Sequence, residues 1–148
     1  MKKSSMSILV AGLLLAFSAT AQTTSPVGLW KNIDDSTGKP KALIRITESG
    51  GELSGKIEKL FREPNEEASP KCVKCEGDNK DKPIVGLTML QGMKADGAEY
   101  SGGTILDPAN GKVYKSKMSL LDDGKKLSVR GYIGVPLLGR SQTWVREE

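Results

Sequence analysis

Cys72-Val73-Lys74-Cys75 holds both cysteines of the chain. Four chemistries use this spacing. A zinc site takes about four ligands, usually Cys or His. This chain has no His, so Glu76 or Asp78 would have to complete the shell. Haem attachment needs His directly after the second Cys, and Glu76 stands there. A thioredoxin-like dithiol needs its first Cys at a helix start after a strand, where the thiol pKa falls. Here the pair lies in a charged segment, 62–83, that also contains Pro64, Pro70 and Pro83. Only Lys71 and Lys74 are at hand to favour a thiolate. A local disulfide between Cys72 and Cys75 is the leading reading, with redox exchange second. A ring this small constrains the unfolded chain little.

The absence of His removes Ser-His-Asp and Cys-His catalysis and the H-E-x-x-H zinc sites. There is no G-x-S-x-G elbow and no phosphate-cradling P-loop. Asp107, Asn110, Asp122 and Asp123 read as turn residues that bond their own backbone. No catalytic residue, metal or cofactor is expected, and the chain does not read as an enzyme.

Arg130, Tyr132, Arg140 and Gln142 are the polar residues that folding explains least. They stand among Gly131, Gly134 and Gly139, which let a backbone or ligand approach closely. One reading is a pocket mouth where arginines hold a carboxylate or phosphate head group. The other is cross-strand pairing on the surface. Period-2 alternation puts Leu127, Val129 and Ile133 on one face and Arg130 and Tyr132 on the other. If the apolar set faces the core, Arg130 faces solvent, which favours pairing.

The elements that must position these residues are strands. Turn signals recur about every 8–12 residues between short alternating runs, as in an antiparallel sandwich or barrel. Eight strands are expected, at 27–31, 41–47, 52–60, 84–93, 98–106, 112–121, 126–133 and 140–146. A helix competes at 84–93, but Gly86 and Gly92 argue for a strand. Ala42, Ile44 and Ile46 should share one face, as should Leu53, Gly55 and Ile57. All connections but 62–83 are short, which predicts an all-β up-and-down barrel. Closure removes the edges that invite aggregation.

The first 21 residues read as a cleavable export signal. Lys2 and Lys3 precede an uncharged apolar run from 8 to 17, and Ala19-Thr20-Ala21 gives a small-x-small site. The run is about half the roughly 20 residues of a membrane span, and no Cys at the cleavage point offers a lipid anchor. The expected mature chain, 22–148, is one soluble domain in the periplasm or outside the cell. Losing Lys2 and Lys3 lowers the formal charge from +4 to +2. With no basic stripe, nucleic acid is not an expected partner.

Gly28-Leu29-Trp30 at the first strand and Arg146 at the last resemble the lipocalin-type pattern. In that family the Arg lies across the Trp and closes the barrel bottom, a contact worth roughly 0.5–2 kcal/mol. A fuller resemblance is to a bacterial secreted family known as domain of unknown function 2147. It rests on Gly28-Leu29-Trp30, on Cys72-x-x-Cys75 and on the run from Asp81 to Leu87. The stretch from Gly102 to Tyr114, Arg130-Gly131-Tyr132-Ile133-Gly134 and the run from Gly139 to Trp144 complete it. The resemblance implies a lipocalin-like barrel and leaves the activity open. Eight strands leave room for packed side chains or one small ligand, and large aromatics are few. The leading expectation is a carrier of a small apolar or amphipathic ligand. The rivals are an interaction module with a solid core, docking through the charged loop, and a thiol–disulfide redox protein.

Overall fold

In the computed structural model the described residues are Gly12, Ala16 and 25–148. Apart from those first two positions, the expected export segment at 1–21 lies outside the described residues. Alternation builds the wall. In β2 (Pro40–Ser49) Ala42, Ile44 and Ile46 are buried, while Leu43 and Arg45 between them are half-buried. In β3 (Glu52–Leu60) Leu53, Gly55 and Ile57 are the buried positions. The other strands are β1 (Gly28–Ile33), β4 (Thr88–Asp96), β5 (Glu99–Asp107), β6 (Lys112–Leu121), β7 (Lys126–Tyr132) and β8 (Arg140–Arg146), and β1 and β4 each break the alternation by burying two neighbours, Leu29-Trp30 and Met89-Leu90.

Each strand pairs antiparallel with the next, and β8 returns to β1 through Trp30↔Arg146, Lys31↔Val145 and Asn32↔Trp144. The result is the expected closed eight-stranded up-and-down barrel. The lower end carries the start of β1, the end of β8 and the β2–β3, β4–β5 and β6–β7 turns. The upper end carries the β1–β2, β3–β4, β5–β6 and β7–β8 connections. Trp30, Trp144, Ile44, Ile46, Leu90, Met93, Met118 and Leu127 are fully buried and belong to one core. Packing between neighbouring strands β4 and β5 is close. A Cβ on Gly103 would collide with the Gln91 carbonyl and with Met93 Sδ.

Three local expectations change. The fourth strand starts at Thr88, not at 84, and runs on through Lys94, Ala95 and Asp96 to pair with Ser101, Tyr100 and Glu99. Residues 84–87 turn instead, with the Leu87 amide donating to the Ile84 carbonyl at 3.1 Å and Gly86 at φ 99°. The seventh strand stops at Tyr132, so Ile133 leaves the ladder and the core face; it is 68% exposed. The charged segment 62–83, expected as a loop, sends Cys72 and Cys75 into the barrel's core. Backbone hydrogen bonds fold it back to do so: Cys72 to the Lys82 carbonyl at 2.8 Å and Ile84 to the Pro70 carbonyl at 3.0 Å.

Candidate functional site

The lower end is a plug. Trp30 is fully buried, and its indole N–H donates to the Pro26 carbonyl at 2.7 Å. The Arg146 guanidinium lies 4.3 Å from the Trp30 ring centroid. It donates to the carbonyls of Ser25 at 2.6 Å, Gly124 at 2.7 Å and Val27 at 2.9 Å. Desolvation lowers the Arg146 pKa from its ordinary value, yet a guanidinium stays charged at neutral pH. With its donors taken by carbonyls and its face by an indole, Arg146 has little left to offer a ligand.

One side of the upper end is tied down by the disulfide. Cys72 and Cys75 are bonded, with Cα atoms 5.3 Å apart, and both side chains are buried. Cys72 Sγ lies 3.7 Å from the Pro108 carbonyl oxygen, in the β5–β6 turn. Gly111 completes the fit, since a Cβ there would collide with the Lys74 carbonyl. Burial shields the sulfurs from an attacking thiolate, whose access sets the exchange rate.

On the other side, along β6, β7, β8 and β1, two buried polar side chains face inward. Asn32 lies on the buried face of β1, two residues beyond Trp30, and Ser116 lies on the buried face of β6, two before Met118. The indole N–H of Trp144 donates to Gln142 Oε1 at 3.4 Å. An indole N–H only donates, so it fixes the carbonyl end of Gln142 inward. Asn32 Nδ2 donates to the same oxygen at 2.9 Å. That arrangement leaves Asn32 Oδ1 as the free end. Asn32 Oδ1 and Ser116 Oγ are both buried and have no hydrogen-bond partner among the described residues.

The four residues singled out in the sequence divide by face. The register Arg130↔Ser141 gives Arg130 and Ser141 the outer wall and turns Arg140 and Gln142 the other way. Arg130 donates to the Pro136 carbonyl at 2.6 Å and to Ser141 Oγ at 2.8 Å. Half-buried Tyr132 lies on the same wall, flanking Gly139 beside Arg130. Arg140 is exposed at the rim and bridges to Asp35 in the β1–β2 turn at 2.7 Å. Only Gln142 reaches the interior polar group. Asn32 and Ser116 were not singled out, although a polar residue at an inward position of an alternating strand is a readable signal. Among the described residues no three His, Cys, Asp or Glu side chains gather as a metal site, and no helix is long and apolar enough to cross a membrane.

The model of the family described as "Uncharacterized protein conserved in bacteria (DUF2147)" matches residues 28–146. The chain belongs to that family. Comparison with curated proteins finds no match. Among solved structures, the barrel is similar to protein HP1028 from the human pathogen Helicobacter pylori, which is described as belonging to the lipocalin family. The identity is 16%, the TM-score 0.71, and 85% of each chain is covered. At that identity the likeness is one of fold. The DUF2147 chain is therefore a lipocalin-like barrel, closed below by Trp30 and Arg146 and polar within its upper half.

Proposed function

We propose that the protein is an exported carrier of a small amphipathic molecule, bound in the upper half of the barrel with its polar group on Asn32 and Ser116. The observation that carries this reading is the pair of buried, unpartnered atoms, Asn32 Oδ1 and Ser116 Oγ. A buried polar atom left unpaired costs about 1–3 kcal/mol. A ligand donor, such as a hydroxyl or amide N–H, relieves Asn32, and either a donor or an acceptor relieves Ser116. The apolar part of the ligand lies against Leu106 and points down toward Met93 and Met118, nearer the lower end. Methionine side chains repack more readily than branched ones, which suits an interior that must admit one small guest. Likeness to a lipocalin-family barrel supports the same reading. The disulfide suits an oxidising compartment outside the cytoplasm. The Arg140–Asp35 bridge ties the β1–β2 turn to β8 at the rim, where such a molecule would enter.

Native mass spectrometry of protein purified from its own host tests this. The expected spectrum contains a non-covalent adduct of a few hundred daltons, and Asn32→Leu with Ser116→Val removes it. A spectrum of unliganded protein alone, from fresh host material, contradicts the reading.

A further inference from the structure

Four large apolar side chains stand in the open on the β7–β8 connection. Ile133 is 68% exposed, Val135 54%, Leu137 86% and Leu138 77%. A single exposed apolar residue is ordinary; four within residues 133–138 form a patch that marks a contact surface. The loop is also held in this form. Pro136 opens a short 3-10 turn, Pro136–Leu138. Arg130 clamps that turn from the wall, through the Pro136 carbonyl, the Leu137 carbonyl at 3.3 Å and Ser141 Oγ. The guanidinium thus spends its donors on loop oxygens, and the apolar side chains are left pointing away.

The wall beneath the loop is basic. Lys115, Lys117 and Arg130 stand on its outer face, with Glu99 as the acid beside Lys117. The register sets Lys115 beside Tyr132 and Lys117 beside Arg130. Directly under Leu137 an open groove of about 340 Å³ is lined by Lys117, Arg130, Glu99, Ser119, Ser128 and Ser141. Lys117 keeps its charge while it bridges to Glu99 at 2.9 Å.

We propose that this loop seats the protein on an anionic lipid surface, with Leu137 and Leu138 in the acyl boundary and the basic, hydroxyl-lined wall against headgroup phosphates. An apolar tip with a cationic collar is the form that enters a bilayer interface, and anionic lipid attracts basic residues held near it. A stable protein partner would need about 20–30 residues a side, far more than this narrow tip presents. The inference is independent of what the barrel holds.

Co-sedimentation of the mature protein with vesicles tests it, using phosphatidylglycerol–phosphatidylethanolamine mixtures against pure phosphatidylcholine. Binding to the anionic vesicles is expected, about 100-fold weaker in Leu137→Ser with Leu138→Ser and weaker again at high salt. The double variant should keep the wild-type melting temperature, because neither side chain enters the core. Failure of wild type to bind anionic vesicles overturns the proposal, as does equal binding by the double variant. Equal binding to phosphatidylcholine removes the electrostatic half of it and overturns it as stated.

Discussion

At the lower end of the barrel Arg146 gives its donors to three carbonyls and its face to Trp30. At the upper end Asn32 and Ser116 keep polar atoms buried and unpaired. Both ends close the same eight strands, so topology does not require the difference. A fully satisfied polar group adds to stability, whereas an unpaired one detracts from it and persists where something else uses it. Stability is concentrated below, and the proposed ligand contacts lie above.

Substitutions at the two ends should therefore behave in opposite ways. Trp30→Ala should have the largest effect, a loss of about 3–5 kcal/mol in urea unfolding, because it empties the fully buried floor of the core. Arg146→Ala should lose about 2–3 kcal/mol by the same measurement, since it strands carbonyls of Ser25, Val27 and Gly124 and uncovers the indole. Reduction of Cys72–Cys75 should lower stability by roughly 2 kcal/mol, as expected for a very short closed loop. If reduction instead unfolds the protein, the upper end is as structural as the lower, and the contrast fails. Ser116→Ala should leave the ligand-free protein unchanged or raise its stability by up to about 1 kcal/mol, since no protein hydrogen bond is lost.

The smallest effect concerns pH. The Ser36 hydroxyl and amide, with the Thr37 amide, draw the Asp34 carboxyl from 3.8 down to about 2. Its folded pKa lies below its unfolded one, so the stabilisation is complete above the unfolded value and is lost as pH falls through about 2. Asp34→Asn should flatten that part of the stability–pH curve, and the carboxyl's NMR titration gives the pKa directly. Asp34 orders the turn that presents Asp35 to Arg140, so loosening this turn should loosen the rim before the barrel.

Much of the barrel was legible in the sequence. Alternation at Ala42, Ile44 and Ile46 and at Leu53, Gly55 and Ile57 set the inner face correctly. What could not be read was register. Arg130 and Arg140 look like neighbours in a list of strands, yet pairing Arg130 with Ser141 puts them on opposite faces. Gly86 lies at a positive φ and ends the run at 84–87, a conformation the residue permits and does not require. The cysteines were read as part of a polar loop, because hydrophobicity counted along 62–83 cannot report that the loop folds back onto the barrel. The exposed run at 133–138 has the composition of a strand end, and only the structure gives it to solvent.

The contrast between the ends is tested most directly by native mass spectra of three host-purified proteins: wild type, Asn32→Leu with Ser116→Val, and Arg146→Lys. A bound small molecule is expected in wild type and in Arg146→Lys, even though Arg146→Lys unfolds at lower urea. None is expected in the upper-end variant, which should keep wild-type stability to within about 1 kcal/mol. A bound molecule that survives the upper-end changes and disappears with Arg146→Lys would contradict that contrast, and would place the ligand against the floor.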